Sequence, residues 1–169
     1  MTRFERLWAP HPGAYDHAGA EDDGCPFCTI PSCQPHESFV VAALDTAYAV
    51  LNRHPYNPGH LMVVPHRHVA DLADLLPDES ADLMTMTQDA LRALRAIGRP
   101  QSFNVGLNLG LAAGASVGSH LHQHVVPRWT GDDNFIAVIG GTKVLPQLLA
   151  DTRDLLRDAW PARTARTRP

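Results

Sequence analysis

The stretch Ser119-His-Leu-His-Gln-His-Val-Val-Pro-Arg-Trp129 sets three of the chain's ten histidines, His120, His122 and His124, at alternate positions. In a strand, residues two apart share a face at about 6.6–6.8 Å, so the three imidazoles are expected side by side, whereas a helix would scatter them. Val125, Val126 and Pro127 favour the strand, with proline at its end, where a missing donor is tolerated. Three imidazoles on one face suit metal ligation, a nucleophile with acid/base partners, or a polar patch on an exposed strand. Directly upstream, Gly110-Leu-Ala-Ala-Gly-Ala-Ser-Val-Gly-Ser119 supplies flexible backbone whose N–H groups can form an anion-binding concavity. Asn108 opens that loop, and Gly114, Ala115 and Ser116 sit within it. An anion cradle beside an imidazole suits phosphoryl or nucleotidyl transfer, because a free imidazole with a pKa near ~6.5 offers a neutral attacking nitrogen.

Cysteines form a second cluster, Cys25, Cys28 and Cys33. An odd number so closely spaced is poor material for a disulfide framework. Cys25-Pro-Phe-Cys28 alone reads as half a zinc site, a redox pair or two buried thiols, and Pro31 with Ser32 would break early the helix that a thioredoxin-like pair requires.

The elements that must position these groups are legible from periodicity. Ser38–Leu44 and Ala47–Asn52 are short apolar, β-branched runs separated by Asp45 and Thr46, a hairpin; Gly59–Pro65 is a third strand after the turn residues Asn57 and Pro58. From Pro77, Leu83, Met86, Ala90, Leu91, Leu94 and Ile97 recur at helical spacing until Gly98 and Pro100. Ser102–Gly110 and His120–Pro127 resume strand character, and a second helix is expected over Lys143–Ala159. The order predicts an α+β domain with an antiparallel sheet of about five strands and two helices. We read residues 1–24 as an irregular arm, 25–160 as one domain, and 161–169 as a disordered basic tail.

A length of 169 residues with 44% hydrophobic and 19% charged residues suits one globular domain. No apolar run reaches the ~20 residues of a membrane span, and the start lacks the apolar core of a secretory signal, so a cytoplasmic location is expected. The net charge of −4 provides no global field for nucleic acid.

His120-Leu-His122-Gln-His124-Val-Val-Pro resembles the signature of the histidine triad (HIT) family of nucleotide hydrolases and transferases, with polar Gln123 at a usually apolar position. Leu51-Asn52 with Asn57-Pro-Gly59-His60-Leu-Met-Val-Val-Pro65 is similar to that family's nucleoside-binding strand pair, and Cys25-Pro-Phe-Cys28 to its N-terminal element. Within the family, Phe103–Gly110, the Val-Val-Pro-Arg-Trp129 ending and Ile139-Gly-Gly-Thr-Lys-Val-Leu-Pro-Gln147 resemble actinobacterial diadenosine tetraphosphate phosphorylases.

The resemblance implies His122 as nucleophile on an α-phosphorus, with His124, His120 and His60 orienting it or bonding the phosphate. It implies substrate contacts from Asn52, Asn108, Gly114, Ala115, Ser116, Trp129 and Lys143. Read without it, His60 is a strand-end residue, Asn52 a turn asparagine, Asn108 and Ser116 ordinary loop polarity, Trp129 core or interface, and Lys143 a solvated lysine. Ala115 stands where the phosphorylases carry glycine, which puts one close backbone approach in doubt. Family members that bind structural zinc imply Cys25, Cys28, His68 and His120 as ligands, with His66 and Cys33 as rivals; no organic cofactor is expected. His11, His17, His36 and His54 are left as surface or turn residues.

The implied reaction is phosphorolysis of diadenosine tetraphosphate to ADP and ATP, with a nucleotide substrate and inorganic phosphate as partners. The alternatives are a HIT hydrolase releasing AMP, a nucleoside phosphoramidase, or a zinc-stabilised scaffold without turnover. The resemblance also implies a homodimer that continues the sheet through an edge strand and the long helix, a pairing for which an exposed edge gives a physical motive.

Overall fold

A computed structural model describes residues 24–34, 38–132 and 147–162. Residues 1–23 of the arm expected at 1–24, Lys143 with its surrounding segment 133–146, and residues 163–169 of the tail expected at 161–169 lie outside the described residues. Five strands, β1 (Val40–Ala43), β2 (Ala47–Leu51), β3 (Leu61–Pro65), β4 (Ser102–Leu107) and β5 (Gln123–Arg128), form one antiparallel sheet in the order β1-β2-β3-β5-β4. Three helices accompany it among the described residues: the single-turn α1 (Pro26–Thr29), α2 (Pro77–Gly98) and α3 (Leu149–Ala159). The α+β expectation holds, with α1 added.

Alternation along the strands divides the molecule. Ala47, Ala49 and Leu51 of β2, Leu61 and Val63 of β3, and Val125 of β5 pack on Leu83, Met86, Ala90, Ala93 and Leu94 of α2 and Leu156 of α3. The intervening Tyr48, Val50, Met62 and Val64 face the other way and pack with Phe27 of α1. Gln123 points to the helix side, where its Nε2 donates to Thr87 Oγ1 at 2.8 Å. The polar residue at an apolar position is thus satisfied within the core, as a buried amide must be.

Helix α2 begins at Pro77, whose missing N–H costs nothing in a first turn, and Glu79 Oε2 accepts from the Leu76 N–H at 2.8 Å. It ends at Arg99, in the left-handed region with φ 45. Gly59 turns the chain into β3 with φ +81, a conformation that strains a residue with a Cβ, and a Cβ there would also lie 2.8 Å from Leu94 Cδ2.

Two boundaries differ from expectation. Helix α3 starts at Leu149, because Leu148 before it is extended with ψ 148; the expected start at Lys143 lies outside the described residues. Strand β5 starts at Gln123, so His120 and His122 precede it. The β3–β5 register of Leu61↔Val125 and Val63↔Gln123 would next pair Pro65 with Leu121, but proline has no N–H to donate. Leu121 instead donates its N–H to the Val69 carbonyl at 2.6 Å.

Candidate active site and metal cluster

His122 and His124 line a cleft of about 1050 Å3 on the face opposite α2. Its floor at one end is apolar, with Phe27, Ile30, Val50 and Met62. The glycine-rich loop forms another side through Asn108, Gly114, Ala115 and Ser116. Gly114 takes the left-handed turn there at φ +88, whereas Ala115 is not among the residues of positive φ, so alanine at that position carries no backbone strain. Asn52 lines the cleft as well, and its Oδ1 accepts from the His54 N–H at 2.9 Å. The turn role and the cleft role coexist, because Nδ2 remains as donor.

Ring protons follow from the hydrogen bonds. His122 Nδ1 lies 2.9 Å from the His120 carbonyl, which can only accept, so Nδ1 carries the proton and Nε2 holds the lone pair. The Tyr56 N–H donates to His60 Nδ1 at 3.1 Å, so His60 Nε2 carries a proton and donates to His124 Nδ1 at 2.9 Å. His124 then keeps its own proton on Nε2. The cleft therefore presents one nucleophilic nitrogen and, beside it, one N–H donor. Burial pushes His124 down to about 4, helped by the nearby His122, and His60 to about 3, helped by His124 and His122. Burial also lowers His122, against the opposing bond to the His120 carbonyl. All three are neutral near pH 7.

His120 turns out of this group. Its Nε2 donates to the Pro65 carbonyl at 3.0 Å, which leaves the Nδ1 lone pair facing Cys25 Sγ at 3.2 Å and Cys28 Sγ at 3.6 Å. His68 Nδ1 meets Cys28 Sγ at 3.3 Å, and the four ligand atoms all lie within 4.8 Å of one another. A tetrahedral zinc with bonds of about 2.1–2.3 Å has edges of about 3.4–3.8 Å, so the donor set and its spacing fit that metal. The Pro65 carbonyl supplies the outer contact that fixes a ligating imidazole. Arg67, the neighbour of His68 in the chain, makes a two-pronged pair with the buried Glu79, Nε to Oε1 at 2.8 Å and Nη2 to Oε2 at 2.7 Å. The rival ligands are engaged elsewhere, His66 with the Leu44 carbonyl and Cys33 with the Thr29 carbonyl.

The HIT domain family matches residues 34–131 of this sequence. The chain belongs to the HIT family. This HIT protein is 52% identical over 166 residues to the AP-4-A phosphorylase of Mycobacterium tuberculosis, covering 94% of this chain and 85% of that protein. It is 36% identical over 84 residues to the asymmetrical bis(5'-nucleosyl)-tetraphosphatase of Schizosaccharomyces pombe, covering 50% of this chain and 46% of that one. Among solved structures it superposes on a zinc-bound histidine triad family protein from Mycobacterium smegmatis with TM-score 0.65 and 30% identity, covering 80% of this chain and 92% of that one. No helix among the described residues is long and apolar enough to cross a membrane.

Of the residues singled out from sequence, His122, His124, Asn52, Asn108, Gly114, Ala115 and Ser116 converge on the cleft, with His60 behind His124. Trp129 does not line the cleft; its Nε1 donates to the Gly98 carbonyl at 3.1 Å at the end of α2. Lys143 lies outside the described residues. Sequence reasoning passed over Phe27, Arg53 and Tyr56 and left His54 as a surface or turn residue; all four line the cleft, and His54 is exposed there. Their signal was position, since three follow Asn52 in one loop and Phe27 lies between the paired cysteines.

Proposed function

We propose that this HIT protein transfers a nucleotidyl group from dinucleoside polyphosphates through a covalent nucleotidyl-His122, and that its reaction is phosphorolysis of diadenosine tetraphosphate to ADP and ATP. The observation that carries this reading is the tautomer of His122: Nδ1–H tied to the His120 carbonyl, Nε2 unpaired among the described residues at the cleft wall. Its Nε2 lone pair attacks the α-phosphorus as the bond to the bridging oxygen breaks, and ATP departs with that electron pair. A phosphate oxygen then attacks the same phosphorus, the P–N bond breaks, its electrons return to Nε2, and ADP leaves. His124 Nε2–H donates to the phosphoryl group, while His60 acts through His124 by holding its tautomer. The N–H groups and polar side chains around Asn108, Gly114, Ala115 and Ser116 take the phosphates, and Asn52 the ribose.

Zinc, held by Cys25, Cys28, His68 and His120, would tie α1 to the segment that carries the nucleophile and supply structural stability alone. We place the chain in the cytoplasm as a homodimer joined through β4. That strand is a sheet edge with Val105 46% exposed, a surface suited to pairing with a second copy.

The name of the fission-yeast relative favours a second reading, in which water resolves the intermediate and AMP is released. Incubation with diadenosine tetraphosphate, with and without inorganic phosphate, separates them by chromatography of the products. Phosphate-dependent ADP with ATP is the expected result. AMP with ATP in both conditions would replace phosphorolysis by hydrolysis, and no turnover in either would leave a metal-holding scaffold.

A further inference from the structure

The rings of Phe27, His122, His124 and Tyr56 line the cleft, and the buried His60 lies behind His124 and Tyr56. Phe27 stands 4.8 Å from His122 and His122 5.0 Å from His124, centroid to centroid, so the nucleophile sits between them. Tyr56 is 6.0 Å from His124 and 4.6 Å from His60, and it is 56% exposed. With the reacting nucleotide's base against Phe27 and its α-phosphorus over His122 Nε2, a leaving group that passes His124 reaches Tyr56. A dinucleoside polyphosphate carries a second base on that side, and a mononucleoside polyphosphate does not.

The Tyr56 ring is built to meet it. Its backbone N–H is held by His60 Nδ1 at 3.1 Å, so the residue is fixed where it stands. The ring lies within 22° of parallel to that of His124 at 6.0 Å. An aromatic left more than half exposed on a cleft wall gains most by covering its face, and a nucleobase supplies a flat apolar surface of matching shape. On the reading given under Proposed function, we propose that Tyr56 is the stacking platform for the second nucleobase, the residue through which the enzyme prefers a dinucleoside to a mononucleoside polyphosphate. Because every base has a π-face, this subsite tolerates different second bases.

The test compares kcat/KM for diadenosine tetraphosphate with that for adenosine 5′-tetraphosphate, which has the same phosphates and no second nucleoside. Tyr56→Ala is expected to lower the ratio of the two about tenfold, about 1.4 kcal/mol, while Tyr56→Phe and Tyr56→Trp keep it near that of the parent chain. Equal losses on both substrates would overturn the proposal, since the ring would then act only by packing on His60. An unchanged ratio would overturn it too. If the parent chain turns over both substrates without discriminating, this inference alone falls; if it turns over neither, the reading on which it rests falls with it.

Discussion

The hydrogen-bond chain from the Tyr56 amide through His60 to His124 fixes where each ring proton sits, and it works only while both imidazoles are neutral. Burial, with the neighbouring imidazoles, depresses His60 to about 3 and His124 to about 4, from an ordinary value of 6.5. Below pH 6.5 the unfolded chain therefore binds protons that the folded chain refuses. The stabilising contribution is full above that pH and is lost progressively as pH falls towards 4 and then 3. Denaturant midpoints measured at about pH 7.5 and about pH 5 should fall with acid, and His60→Gln should flatten the fall by removing one titrating ring. A slope unaffected by that substitution would contradict the neutral relay. His122 and His124 stood out in the sequence by their type and alternate spacing, whereas Asn52 and Ser116 stood out only through the family resemblance; all four line the cleft. Tyr56 and Phe27 did not stand out, because an aromatic in a loop says nothing of which cleft it faces.

Among the elements, α2 could be read to its ends, since an apolar face at helical spacing ran between a proline suited to a first turn and a glycine-proline stop. The start of β5 could not. It depends on a missing N–H at Pro65, across the sheet and far away in sequence, and that sends His120 to the cysteines instead of the cleft. The turn into β3 carries a sharper demand. Gly59→Ala combines an unfavourable φ of +81 with a Cβ 2.8 Å from Leu94, so it should destabilise the fold. A loss of about 2 kcal/mol or more in chemical denaturation is the expected size. The Arg67–Glu79 pair anchors the residue next to His68 from outside the ligand set. Glu79→Gln should weaken metal retention about tenfold against a competing chelator, read by metal content after dialysis.

At the scale of the whole molecule, two sheet faces have separate tasks: one is sealed by α2 and α3, and the other carries α1, the cleft and the metal cluster. The α+β class and strand count followed from the pattern of apolar runs, but the division of labour between faces did not, because a period of two does not say which face meets the helices. The open edge at β4 bears on assembly. Val105→Lys places a charge on it and should shift the proposed dimer to monomer in sedimentation or light scattering. A dimer that survives would move the interface elsewhere.

The proposed reaction turns on a bond from His122 Nε2 to phosphorus. Rapid acid-free quenching of the protein with diadenosine tetraphosphate in the absence of phosphate, followed by peptide mass spectrometry, tests it directly. The expected result is an adenylate on the peptide containing His122, absent from His122→Gly and discharged as ADP when phosphate is added. Turnover without any protein-bound nucleotide, or turnover retained in His122→Gly, would contradict it.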